Sequence, residues 1–257
     1  MNYKKNFKNK GYIIIKNFLS KKQLNNIKNE IKAISINQIK KFNYKIKEKN
    51  LKDTLLIAMK KNPELRKGIY NLLRYAFTIR QIQSDKKILD VIKKIGFKVP
   101  LFTDIPSLRI DFSDEEKFLR GPHQDVGSVI SKNCATVWIP ITKVNRSTGS
   151  IALYETTHKK KLRKQILVKR NQLANNEVSI SGIKKDLRKV LNLEAGDLVI
   201  FDSFIVHESV KSKLNNNLKL NIQFIINDGD QINFNDRYYG LKNNFNAIRT
   251  QQIEKNV

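Results

Sequence analysis

In a chain crowded with Lys and Asn there are only three histidines, His123, His158 and His207, so the position of each imidazole is informative. His123-Gln124-Asp125 follows Pro122. If that segment is extended, residues two apart point to one face, so an imidazole and a carboxylate converge on one point. On its own, His-x-Asp more often marks a satisfied polar contact than a metal site. His207 follows Gly196-Asp197-Leu198-Val199-Ile200-Phe201, a strand that returns beside the first in a jelly roll. Two imidazoles and one carboxylate on one face leave three adjacent positions of an octahedron open, the facial arrangement of non-haem Fe(II) oxygenases. A bidentate 2-oxo acid takes two of these positions and dioxygen the third.

The elements that must hold these residues divide at about residue 100. Tyr12-Ile13-Ile14-Ile15 reads as a short strand, and Ser20 caps a helix whose stripe is Leu24, Ile27 and Ile31. Lys40 to Asp53 lacks a clear period and reads as a loop or lid. A second helix begins at Pro63 with Asn62 as its cap and carries Leu65, Ile69, Leu72, Leu73 and Phe77. A third covers Lys86 to Ile95 and stops at Gly96. After Pro100 the period becomes strand-like, over Ser107 to Phe112, Ala135 to Ile141, Gly149 to Tyr154, Asp197 to Phe201 and Lys219 to Ile226. Lys159 to Lys189 interrupts this with a basic, partly helical insert that holds eleven Lys and Arg against Glu177 and Asp186. The expected architecture is mainly β with helical support. One domain, 1–257, has helices over 1–100, a double-stranded β-helix (a cupin-like jelly roll) over 101–230 with the insert at 159–189, and a C-terminal tail over 231–257.

Composition narrows the partners. The 257 residues include 50 Lys and Arg against 23 acids, a net charge of +27. Such a surface attracts anions, whether nucleic acid, membrane surface or small phosphorylated or carboxylated molecules. A Lys-, Asn- and Ile-rich chain also arises from an A- and T-rich genome, which accounts for the same charge without a partner. One cysteine, Cys134, forms no internal disulfide and reads as a small buried hydrophobe. With no apolar run of membrane-spanning length and no signal-peptide cleavage site, the expected location is the cytoplasm.

Five ordered motifs then resemble the phytanoyl-CoA dioxygenase family of Fe(II)- and 2-oxoglutarate-dependent oxygenases. They are Gly11 to Ser20; Gly121 to Asp125; Thr136-Val137-Trp138-Ile139-Pro140-Ile141; Thr148-Gly149-Ser150-Ile151-Ala152-Leu153 with Thr157-His158-Lys159; and Gly196 to Phe201 with His207-Glu208-Ser209. The resemblance implies Fe(II) held by His123, Asp125 and His207, with 2-oxoglutarate as co-substrate beside dioxygen. It also implies oxidative decarboxylation to succinate coupled to hydroxylation of an unactivated C–H bond. Ser209 stands where the family holds the distal carboxylate of 2-oxoglutarate, and Trp138 where it lines the cofactor pocket. The family's basic anchor is an Arg about eleven or twelve residues after the second histidine. Here Leu218 and Lys219 stand there, and Lys219 offers a charged hydrogen bond without the planar fork of an Arg. Arg109, on the strand preceding the His-x-Asp motif, is the next candidate anchor, for the cofactor or for an anionic substrate group. His158 falls in a family motif but reads as loop-fixing, not as a ligand. The expected substrate is a small molecule, anionic or carrier-linked, and no nucleic-acid partner is expected. A basic jelly roll that binds nucleic acid or an anionic surface without turnover is the alternative.

Overall fold

In the computed structural model, which describes residues 2–46, 50–102, 105–125, 131–160, 162–170 and 173–230, the chain opens with α1 (Tyr3–Lys10) and β1 (Tyr12–Ile15). Next comes α2 (Lys21–Lys41), where Ser20 forms a reciprocal capping box with Gln23 and where Leu24, Ile27 and Ile31 are buried. α3 (Leu51–Lys60) is capped by Asn50 and buries Leu55, Ala58 and Met59, so the loop expected over Lys40 to Asp53 is shorter than its composition suggests. α4 (Pro63–Leu73) starts on Asn62 as expected but ends before Phe77, which opens a separate α5 (Phe77–Gln83). Leu72 and Phe77 are consequently 42% and 69% exposed instead of joining the core stripe. α6 (Lys86–Ile95) stops at Gly96, whose φ of 116° is the left-handed conformation that favours glycine.

The strands are β2 (Pro100–Phe102), β3 (Ser107–Phe112), β4 (Cys134–Pro140), β5 (Ser150–Tyr154), β6 (Gln165–Arg170), β7 (Leu173–Val178), β8 (Arg188–Val190), β9 (Leu198–Asp202), β10 (His207–Val210) and β11 (Leu218–Asp228). They form an antiparallel major sheet in the order β1-β9-β4-β11-β2, with β3 also on β11, and a minor sheet β10-β5-β8. The segment around His123 extends the minor sheet as a bridge to β10. Two sheets face each other in this way in the expected jelly roll.

Alternation decides what each face of the major sheet presents. Leu108, Ile110, Val137, Ile139, Leu198, Ile200, Leu220 and Ile222 share one core with the helices. Their intervening neighbours Trp138, Val199 and Phe201 pack inward with Ile151, Leu153 and Ile205 of the minor-sheet side. On β3 and β11 the inward positions are instead polar: Arg109, Asp111, Lys219 and Asn221. One core thus fastens the sheet to its helical support, and the second surrounds a charged interior.

The insert differs from its expected form. Short 3₁₀ turns flank it, but its body is the hairpin β6–β7, and Val178 N–H donates to Pro122 O at 2.7 Å beside the His-x-Asp segment. Arg163 N–H donates to Gln124 Oε1 at 2.8 Å, so the insert is tied to the residue between His123 and Asp125. The tail 231–257 lies outside the described residues. Among the described residues no helix is long and apolar enough to cross a membrane.

Candidate metal centre

His123 and His207 lie opposite each other in an antiparallel bridge and exchange both backbone hydrogen bonds at 2.9 Å. Their rings stack obliquely with centroids 4.0 Å apart. Each Nδ1 lies against the carbonyl two residues earlier, His123 on Gly121 O at 2.8 Å and His207 on Ile205 O at 3.0 Å. A carbonyl can only accept, so each Nδ1 carries the proton and each Nε2 keeps its lone pair. Those two lone pairs face Asp125, with His123 Nε2 3.6 Å from Oδ1 and His207 Nε2 3.4 Å from Oδ2. One donor atom from each of the three residues lies within 4.8 Å of the others, so together they could hold a metal ion.

The surroundings keep the donors in their binding forms. Burial first, then the proximity of His207 and Arg120, push the His123 ring well below its ordinary range, so it stays neutral. Burial alone would raise the Asp125 carboxyl, but His207, His123 and Arg120 hold it well below the usual carboxylate range. Thr136 Oγ1 donates to Asp125 Oδ2 at 3.1 Å, and Asp125 N–H donates to Ser203 O at 3.0 Å, which fixes the carboxylate's direction. Phe201 packs on His207 with centroids 4.9 Å apart.

The pocket beside this centre contains all four anticipated co-substrate residues, Arg109, Trp138, Ser209 and Lys219. Among the further lining residues, Asp111, Arg120 and Asn221 went unnoticed in the sequence. The clue was available, because Arg109 and Asp111, like Lys219 and Asn221, are two apart on one strand. Lys219 pairs directly across from Asp111, and Asn221 from Arg109. Asn221 is 1% exposed, and its Nδ2 has no hydrogen-bond partner. A buried donor left unmade is costly, so this atom points to a ligand acceptor in the pocket. Ser209 Oγ accepts from Arg120 N–H at 3.2 Å, which leaves its own proton free to donate. Arg120 is a third exposed, with its guanidinium 3.9 Å from Asp125.

The remaining candidates are structural. His158 is buried with Nε2 3.1 Å from Lys8 O, tying its turn to α1 at a distance from the triad. Asp197 accepts Asn17 N–H and Glu194 N–H, each at 2.9 Å, and fixes the turn before β9. Glu208 lines the same pocket but is engaged by Arg188 at 2.6 Å and by the Tyr154 hydroxyl at 3.0 Å. Cys134 is buried.

Comparison with known proteins places this geometry in context. The family model described as phytanoyl-CoA dioxygenase matches residues 7–213. A 1-deoxypentalenic acid 11-beta-hydroxylase from Streptomyces arenae is 31% identical over 105 residues, a match that spans 38% of this chain and 36% of the relative's length. Among solved structures, a non-heme monooxygenase, ThoJ in its apo form, superposes with a TM-score of 0.60 at 13% identity, covering 99% of this chain and 98% of that one. The epimerase SnoN, in complex with Fe3+, alpha ketoglutarate and nogalamycin RO, gives 0.58 at 11% identity over 87% of this chain and 81% of that one. At these identities the structural likeness speaks to the fold alone.

Proposed function

The chain belongs to the phytanoyl-CoA dioxygenase family, and from that membership we propose that it is a single-domain non-haem Fe(II)- and 2-oxoglutarate-dependent oxygenase that hydroxylates a small molecule. The observation that carries the reading is the convergence of two imidazole Nε2 atoms and one carboxylate beside a pocket holding an unpartnered amide donor. This donor set suits Fe(II) with three positions open, and the pocket's cations suit a dicarboxylate. When bound, iron with dioxygen and 2-oxoglutarate supplies the oxidising power for C–H hydroxylation.

The chain's own residues do the positioning. His123, Asp125 and His207 would hold the metal, their directions set by Gly121 O, Ile205 O and Thr136. Lys219, Asn221 Nδ2 and Ser209 Oγ offer donors to the distal carboxylate, with Arg109 behind them. Trp138, Phe201 and Ile151 form the apolar wall that keeps water from the centre. The substrate is an anionic or carrier-linked small molecule, supported by the net charge of +27 and by the basic insert tied to Gln124. A single buried cysteine, Cys134, suits a reducing cytoplasm.

The test is anaerobic titration with Fe(II) and 2-oxoglutarate, followed by a substrate screen scored on succinate release. One iron and one 2-oxoglutarate per chain are expected. Salt-dependent DNA affinity without any 2-oxoglutarate binding would replace this reading with that of a binding module.

A further inference from the structure

Two carboxylates in the pocket lining oppose in sign the ligand the pocket is built for, Glu208, which Arg188 engages at 2.6 Å, and Asp111, which is held on the anchoring cations themselves. Asp111 is buried, and its two oxygens are divided between the anchoring cations, Oδ1 3.1 Å from Arg109 Nη2 and Oδ2 3.0 Å from Lys219 Nζ. Burial alone would raise its pKa, but Arg109 and then Lys219 hold it below the ordinary carboxylate range, so it stays charged. Its neighbours Ile110 and Phe112 face the helical core, and Asp111 faces inward between them. Packing does not call for the charge, since an amide fills the same space.

A carboxylate fixed on both cations does two opposed things. It places the Lys219 ammonium by a direct cross-strand ion pair. It also neutralises part of the charge that would attract a dianion. Around the centre, Arg109, Arg120 and Lys219 stand against Asp111 and Asp125, while Glu208 is balanced by Arg188, a surplus of one positive charge before any metal binds. Removing Asp111 doubles that surplus in a site with little water to screen it.

Resting on the oxygenase reading above, we propose that Asp111 is a resident counter-anion of the co-substrate subsite. In the empty pocket it takes the interactions that a ligand carboxylate shares when bound. It thereby makes one buried and one half-buried cation tolerable in the free protein and holds affinity for 2-oxoglutarate, and for the dianionic product succinate, below what unopposed cations would give. Asp111 is a positioning residue that acts through Lys219 and Arg109.

The experiment follows quenching of Trp138, the chain's single tryptophan, which lines this pocket. Anaerobic 2-oxoglutarate is titrated with Mn(II) in place of iron into the wild type, Asp111→Asn, Lys219→Gln and the double variant. The ligand-free thermal midpoint of each is also measured. Asp111→Asn should bind about tenfold more tightly and melt lower without ligand, regaining the difference when 2-oxoglutarate is added. Lys219→Gln should bind about tenfold more weakly. The double variant restores the wild-type charge surplus with two neutral amides, so it should fold and bind within about threefold of the wild type. It keeps the test decisive if Asp111→Asn alone does not fold. Equal or weaker binding by Asp111→Asn, or a double variant as weak as Lys219→Gln, would overturn the proposal. Absence of saturable quenching in the wild type would instead overturn the oxygenase reading.

Discussion

His123 and His207 are joined by two backbone hydrogen bonds of 2.9 Å, and this pairing, more than either side chain, fixes the spacing of the two metal donors. Because the two residues oppose each other across an antiparallel bridge, their Cβ atoms leave the sheet on one face and the rings meet at 4.0 Å. Asp125, two residues further on, is brought to the same face by the strand period. The donors are thus set by the backbone before any metal arrives.

His123→Ala, Asp125→Ala and His207→Ala should each abolish stoichiometric metal uptake and succinate formation. His158→Ala should keep the metal, because that ring is anchored to Lys8 O away from the centre. Metal content by elemental analysis of the folded variants decides this. Loss of iron in His158→Ala with retention in His207→Ala would reverse the assignment.

Lys219→Ala removes a charge-assisted donor from the proposed co-substrate subsite and should weaken 2-oxoglutarate by about ten- to a hundredfold, the equivalent of roughly 1.5–3 kcal/mol. Asn221→Leu removes the unpartnered Nδ2 with little change of volume and should weaken 2-oxoglutarate while leaving the ligand-free protein as stable or more so. Calorimetric titration separates these from Arg109→Ala. If affinity survives in Lys219→Ala and collapses in Arg109→Ala, the anchor is Arg109.

The grouping of the triad was legible because histidine is rare in this chain, and the strands because β3, β4, β9 and β11 are rich in β-branched and aromatic residues. Asp111 and Asn221 were hidden, since a polar residue between Ile110 and Phe112 or after Leu220 reads as solvent-facing unless the strand is known to line an interior. The hairpin body of the insert was masked by Lys and Arg, which mark neither period. α3 was masked by the Lys- and Asn-rich stretch before it, although Asn50 supplies a helix cap. Only tertiary packing resolves such segments, because their propensities conflict with their final state.

Gly11 connects two regions that the sequence presents separately. Its φ of 90° lies in the left-handed region, and a Cβ there would meet His158 Nδ1 at 2.5 Å and Ile205 Cδ1 at 3.0 Å. Gly11→Ala should therefore destabilise the fold by roughly 1–3 kcal/mol, visible as a lowered thermal midpoint. Adding His158→Ala should recover the steric part of the loss and leave the backbone part, a non-additive pair. Full additivity of the two substitutions would mean that the ring and the glycine do not share that space.

Substrate charge is tested through kinetics. An enzyme that captures an anion gains on-rate from its positive field, and salt weakens that gain over a Debye length of about 8 Å at physiological strength. Lys159, Lys160, Arg163 and Lys164 lie in the insert just before β6, and the backbone of Arg163 is held on Gln124 between two metal donors. Neutralising these four side chains leaves that backbone contact in place and should lower kcat/KM with little change in kcat, because steering acts on encounter and not on chemistry. In the wild type kcat/KM should fall from about 20 to 300 mM salt, and the neutralised variant should respond less steeply. A flat response in both proteins would assign the surplus charge to base composition and remove the argument for an anionic substrate.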